Sequence, residues 1–243
     1  MARVDDAVAK IRELVRTGEL RPGQRLPPEQ ELAAQLGMSR NSLREAVKVL
    51  EAARVVVVRQ GDGTYVTSLS PRILFEGIGV GVELLQGQHL LEVLEVRRML
   101  EPAATAAAAL RLTEPGLATV RAHLEAMAET ADEAEAMVAH DMAFHRSIVA
   151  AAGNEFLVSI LDGIAQSTLR VRVWRGLLHS SAAERTLTEH RAIVAALEQR
   201  DPLVAHAAAT MHIATSVKWL MQSVPSLNGH APLDESPHPE AAA

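Results

Sequence analysis

Two groups of residues carry the chemistry this sequence can perform. Asp141 and His145 stand four apart in a helical stretch, so both project from one helix face and can grip one cation. His190 follows Thr188 and Glu189 near the start of a later stretch, and His212 lies in the last one. One carboxylate and three imidazoles satisfy a borderline divalent metal and leave one or two positions open, a donor set that suits zinc foremost, and also nickel, manganese or iron. Periodicity joins only Asp141 to His145, because ligands distant in sequence are not assembled by spacing. A helical Asp/His pair also serves as a surface hydrogen bond, and a scattered histidine as a solvated or core residue. An open Asp/His site could instead activate water, with Glu189 or Glu101 as base, so a metallohydrolase is one alternative and a direct metal sensor another. His89, His123, His140, His179 and His206 have weaker claims, and His140 points about 100° away from Asp141 around a helix.

The second group lies near the amino end. Ser39, Arg40, Asn41, Ser42 and Arg44 open a periodic stretch that continues through Leu43, Ala46, Val47 and Leu50. At the start of a helix such residues meet nucleic acid well: Arg bonds guanine bidentately, Asn bonds adenine, and Ser hydroxyls suit phosphate oxygens. The other reading is a solvated face of a small helical domain.

The elements that must position these groups differ in kind. Val8, Ile11, Leu14 and Val15 recur at helical spacing and predict a first helix that stops at Gly18. Glu29 to Leu36 predicts a second, Gly37 a turn of positive φ, and Ser39 the N-cap of a third. Ala33 is small where the two helices cross, and Leu32, Leu36, Met38, Leu43 and Val47 supply their seam, as a helix-turn-helix requires. Val55 to Val58, Gln60-Gly61-Asp62-Gly63 and Thr64 to Thr67 then read as strand, turn and returning strand. The expected fold is therefore mainly α, with a winged helix-turn-helix at 1–69 and an all-α helical bundle at 72–224. In the bundle six or seven helical stretches are expected, at about 72–86, 88–111, 114–131, 134–152, 155–176, 183–199 and 202–221. Gly77, Gly79 and Gly81 follow no strand and miss the spacing of a phosphate loop, and Pro102 is expected to kink its helix or the entry to it. Residues 225–243, rich in Pro, Ser, Ala and acid, read as a disordered tail.

Composition supports this division. The 243 residues are 48% hydrophobic but only 2% aromatic, which favours close-packed helices of Ala, Leu and Val. The absence of cysteine excludes disulfides, thiolate metal sites and a thiol nucleophile. The net charge of −6 argues, taken whole, against a nucleic-acid binder. Residues 1–70, however, carry 11 Lys and Arg against 9 Asp and Glu, and the remainder 13 against 21, while all 10 histidines fall after residue 70. The acidity belongs to the second region. No signal-peptide pattern and no apolar run of about 18 residues is present, so a cytoplasmic protein without a membrane partner is expected.

The run Gly23-Gln24-Arg25-Leu26-Pro27-Pro28-Glu29, with Glu31-Leu32-Ala33, Gly37-Met38-Ser39-Arg40-Asn41-Ser42-Leu43-Arg44-Glu45-Ala46 and Gln60-Gly61-Asp62-Gly63-Thr64-Tyr65-Val66, resembles the amino-terminal domain of GntR-family transcription regulators. The resemblance implies a homodimer on palindromic operator DNA, with a recognition helix in the major groove and a wing tip in the minor groove. It assigns DNA contact to Arg25, Ser39, Arg40, Asn41, Ser42 and Arg44, with Gln60 and Gly61 at the wing. Gln30 stands where some members have Arg, so one contact differs.

The later segments Val96-Arg97-Arg98-Met99-Leu100-Glu101-Pro102, Asp141-Met142-Ala143-Phe144-His145, Ala152-Gly153-Asn154, Glu189-His190-Arg191-Ala192-Ile193 and Met211-His212 are similar to the FCD effector domain of the FadR subfamily. That similarity implies a divalent cation held by Asp141, His145, His190 and His212, and a small carboxylate effector bound beside it. It disfavours a long-chain acyl effector. Arg97 matches the family's pocket-facing arginine, and its guanidinium suits a carboxylate, but it could equally pair with Glu101 four residues on. Asn154 could reach the pocket or cap the following helix. Together these implications describe a regulator, expected to be a repressor and not an enzyme.

Overall fold

The computed structural model describes residues 2–75, 88–165 and 180–223. The glycines at 77, 79 and 81, His179, the end of the stretch expected at 155–176 and the tail at 225–243 lie outside the described residues.

The first region is built as its pattern predicts. Helix α1 (Ala2–Arg16) buries Ala7 and Ile11 completely, one turn apart, and stops before Gly18, whose φ is +81°. Helix α2 (Glu29–Gln35) presents Leu32 and Ala33 to the core, and Gly37, at φ +65°, turns the chain toward α3 (Arg40–Ala52). Ser39 caps α3 by accepting a hydrogen bond from Ser42 N at 3.1 Å. Leu43, Ala46 and Leu50 close the core with Leu20, Leu26, Val56 and Val66. Leu36, Met38 and Val47 pack against it partly buried.

The wing differs from expectation by one residue. Strands β1 (Val56–Arg59) and β2 (Gly63–Val66) pair antiparallel with Arg59 opposite Gly63, so the loop holds three residues, Gln60 to Asp62. Gly63, at φ +144°, pairs opposite Arg59, and Gly61 takes the tight bend at φ +74°. The segment Gly23 to Leu26 also lends an edge. Leu26 N donates to Thr64 O at 2.8 Å, Val66 N to Gln24 O at 2.9 Å, and Arg25 bridges Tyr65.

After a helical turn at 71–75, the second region is a helical assembly. Its described helices are α4 (Gln88–Arg111), α5 (Glu114–Glu129), α6 (Ala134–Ala151), α7 (155–165), α8 (Ser180–Glu198) and α9 (Pro202–Ser223). Helix α4 runs on through Pro102 and packs on α9, α6 and α8. Local capping sets the starts. Thr113 accepts from Gly116 N ahead of α5, and the Asp201 carboxylate accepts from Leu203 N and Val204 N ahead of α9, at 2.9 and 3.1 Å. Small residues Ala108, Ala109, Ala196, Ala205 and Ala209 let these helices approach closely around Phe144, Met127, Ile148, Ile193 and Leu197. No described helix is long and apolar enough to cross a membrane.

Candidate metal centre and reading surface

The helical period puts Asp141 and His145 on one face of α6, and that face is turned inward: the two residues retain 7% and 8% exposure. Helix α8 brings His190, fully buried, and α9 brings His212, at 4%. One ligating atom from each of the four residues lies within 4.8 Å of all the others. His145 Nε2 is 3.1 Å from His190 Nε2 and 3.5 Å from Asp141 Oδ1, which is itself 3.3 Å from His190 Nε2. Two imidazole nitrogens each about 2.1 Å from one tetrahedral ion stand about 3.4 Å apart, so these separations fit one cation.

Partners outside the cluster orient its rings. The Glu101 carboxylate accepts from His145 Nδ1, and Glu189 accepts from His212 Nδ1 at 2.8 Å. Because a carboxylate can only accept, both rings carry their proton on Nδ1 and turn Nε2 inward. Among the described residues His190 Nδ1 is buried without a hydrogen-bond partner, and Phe144 covers that ring with centroids 4.4 Å apart. Arg97, on α4 one turn before Glu101, donates through Nε to Glu101 Oε2 at 2.5 Å and through Nη2 to Oε1 at 3.2 Å.

The electrostatics follow from this arrangement. Burial alone would raise Asp141, but the neighbouring histidines hold its carboxyl below the ordinary range. Burial likewise opposes ionisation of Glu101, and Arg97 and His145 overcome it. Burial would lower His145, yet Glu101 and Asp141 raise it to about 9. Burial, reinforced by neighbouring positive charge, lowers His212 to about 3 and drives His190 well down, so both rings are neutral. Such a group of nitrogen and oxygen donors, with two rings already neutral and one proton to displace, is chemically ready for a divalent ion.

Beside the cluster lies a narrow cavity lined by Arg97, Glu101, His145, Arg146, Asp162 and apolar side chains. Arg97 pairs with Glu101 and also lines this cavity. Asn154 does not join it. The Asn154 side chain is exposed and its Oδ1 accepts from Leu157 N at 3.1 Å, so it caps α7 instead of lining the cavity. His140 is turned away as its position predicts, its ring 6.3 Å from that of His123. Glu101 and Glu189 were legible only as a salt-bridge partner and possible bases. Their support of His145 and His212 depends on contacts between helices, which spacing does not carry.

The reading surface is of the opposite kind. Arg25, Ser39, Arg40, Asn41, Arg44, Gln60 and Gly61 are exposed and Ser42 is half-buried. Arg44 Nε donates to Glu29 Oε2 at 2.7 Å, and the Ser39 and Ser42 hydroxyls lie 2.8 Å apart. Arg25 is drawn onto the wing: a Cβ at Gly63 would stand 2.6 Å from Arg25 Nε. The guanidinium of Arg59 lies 4.3 Å from the centre of the Tyr65 ring, whose hydroxyl donates to Asp62 at 2.9 Å.

Known proteins share both regions. Residues 3–66 match the family of bacterial regulatory proteins called gntR, and residues 92–215 match the FCD domain. The galactonate operon transcriptional repressor of Escherichia coli is 28% identical, covering 90% of this chain and 97% of that one. The Uxu operon transcriptional regulator of the same organism is 30% identical, over 88% and 85%. The solved structure of Streptococcus agalactiae GntR superposes with a TM-score of 0.67 at 27% identity, over 89% of this chain and 99% of its own. With the winged head, the helical body and these relatives in agreement, the chain belongs to the GntR family of transcriptional regulators and carries the FCD domain of the FadR-type arrangement.

Proposed function

We propose that this regulator is a ligand-responsive repressor which reads a palindromic operator as a homodimer and whose helical domain takes up a divalent metal, zinc foremost, together with a small organic acid. The observation that carries this reading is the buried convergence of Asp141, His145, His190 and His212. Those four residues would hold the cation, which when bound would offer an open Lewis-acid position to a carboxylate oxygen. Arg97, buried at the edge of the adjoining cavity, supplies a guanidinium for the same carboxylate. Repression is supported by likeness to a protein that represses a galactonate operon.

In the reading head, Arg25, Ser39, Arg40, Asn41, Ser42 and Arg44 would contact the major groove and phosphates, with Gln60 and Gly61 at the minor groove. One such head makes few base contacts, and two on a dyad read both half-sites of a palindrome. The acid then acts by its differential affinity for two arrangements of the helical body, altering how the heads are spaced. Operator binding puts this work in the cytoplasm.

A mobility-shift assay on the promoter region of the chain's own gene, with metal-loaded protein and a panel of small organic acids, tests the reading. Specific binding released by one acid is the expected result. No specific binding under any condition overturns it, and binding that follows metal occupancy with no acid needed selects a direct metal sensor instead.

A further inference from the structure

Glu101 sits between the two halves of the proposed site. It is 3% exposed, and its two oxygens serve three donors: Oε2 accepts from Arg97 Nε, and Oε1 accepts both from Arg97 Nη2 and from His145 Nδ1. Arg97 and Glu101 lie one turn apart on α4, while His145 comes from α6, so this carboxylate is the bridge between the helix that faces the cavity and the helix that supplies Asp141 and His145. Arg97 already spends Nε and Nη2 on Glu101. Arg97 keeps Nη1 and one Nη2 hydrogen for a carboxylate arriving in the cavity, so an end-on grip shares the guanidinium with Glu101, a side-on grip displaces it, and either draws it away from Glu101.

We infer that Glu101 is a positioning residue that couples the acid-binding arginine to the metal-binding histidine through an Arg97–Glu101–His145 relay. The inference rests on the metal and carboxylate reading above and names the regulation of that same site. While Arg97 holds both Glu101 oxygens, the carboxylate shares its charge between guanidinium and imidazole, and its hydrogen bond to His145 Nδ1 is correspondingly weakened. When an acid draws Arg97 away, Glu101 turns its full acceptor strength on Nδ1, and Nε2 becomes the better donor to a cation. Acid and metal then favour each other, and by linkage each raises the affinity for the other by the same factor.

The relay is testable with Zn2+ alone, by chelator competition on the full-length chain, with melting curves reporting that each variant is folded. Glu101→Gln keeps the shape and one acceptor but removes the charge, and it is expected to weaken Zn2+ binding about 10–100-fold, as loss of a supporting partner does. Arg97→Met stands in for the arginine drawn away, and it is expected to tighten Zn2+ about fivefold or more. That gain disappears in the double variant. In long-range 1H–15N spectra of the Zn2+-loaded chain the His145 Nδ1 proton moves downfield in Arg97→Met and upfield in Glu101→Gln. Where Arg97→Met does not fold, Arg97→Lys, which keeps the charge but grips fewer carboxylate oxygens, shows the same signs at smaller size. Equal gains with and without Glu101 would reduce Arg97 to a simple opposing charge and overturn the relay, and so would weakened binding in both single variants. A wild-type chain that takes up no Zn2+ brings down the metal reading and the relay with it, whereas wild-type uptake with additive variants removes the relay alone.

Discussion

The head and the body place their polar chemistry on opposite sides of their cores. In residues 2–69 the core is wholly apolar, and the groups able to touch DNA stand outside it on a capped helix and a wing. In the helical body the polar groups are the centre: Arg97, Glu101, Asp141, His145, His190 and His212 are buried among Phe144, Ile193 and the alanines of α4 and α9. A surface that reads DNA must exchange water for phosphate and base edges, and each of its groups works nearly alone. A buried charged group is costly unless its neighbours answer it, so each member of the body's cluster depends on the others. The same substitution therefore has different reach in the two regions, and the experiments below use that difference.

The largest effect is expected at Phe144, which is fully buried and lies against both His145 and His190. Phe144→Ala should cost about 3–5 kcal/mol, through lost burial and the cavity left behind. Hydrogen exchange read by mass spectrometry should show lost protection in α6, α8 and α9, with α1 and α3 unchanged. Equal loss in the head would mean that the two cores are one cooperative unit and would break the contrast.

Acidification comes next. In the metal-free chain His190 and His212 are held neutral by burial, so below pH 6.5 the unfolded chain takes up protons that the folded chain refuses. Stability is then lost by about 1.4 kcal/mol per pH unit for each ring, a loss that His212 sustains down to about 3. His145 acts in the other direction: raised to about 9, its contribution is complete below pH 6.5 and fades as pH rises through 9. The metal-free body should be most stable near pH 6.5. The head contains no histidine and should show no such maximum. Melting curves of chelator-treated chain between pH 4.5 and 9, with hydrogen exchange to separate the regions, check both statements.

How far each region could be read in advance follows the same division. Ser39, Gly37, Ala33 and the seam residues act within a few positions of one another, so the helix-turn-helix was legible from spacing and the structure keeps it. The wing slipped by one residue because its register is set by Gly63 pairing with Arg59 and by the edge from Gly23 to Leu26, both non-local. In the body, Asp141 and His145 were legible as a pair four apart. Adding His190 and His212 needed a family resemblance, since only the packing of α6, α8 and α9 brings them within reach. The supporting roles of Glu101 and Glu189 were not legible at all: one depends on α4 meeting α6, the other on α8 meeting α9.

Within the head, Arg40 sharpens the comparison at smaller scale. It is exposed at the amino end of α3 and no described packing depends on it, so Arg40→Ala should leave stability within about 0.5 kcal/mol. Operator affinity should nevertheless fall by about 1–3 kcal/mol if Arg40 reads a base, with the loss concentrated at one operator position. A uniform loss over all sequences, with a shallower salt dependence, would assign it to phosphate instead. Fluorescence anisotropy on selected and scrambled duplexes at several salt concentrations separates the two.

The smallest expected effect is the most discriminating, because Asn154 is a residue of the body that behaves like one of the head. It is exposed and works locally, accepting from Leu157 N to start α7. As a cap it should contribute about 1 kcal/mol, lost in Asn154→Ala and largely kept in Asn154→Asp, since Asp also caps well and its charge suits a helix amino end. Metal affinity and acid response should be unchanged in both variants. An effector contact through the amide predicts the reverse pattern: Asn154→Asp removes the donor and sets a negative charge against a carboxylate, so acid binding collapses while the melting temperature holds. Paired melting and acid-titration curves on the two variants therefore decide whether α7 contributes only a wall to the cavity or a group that recognises its occupant.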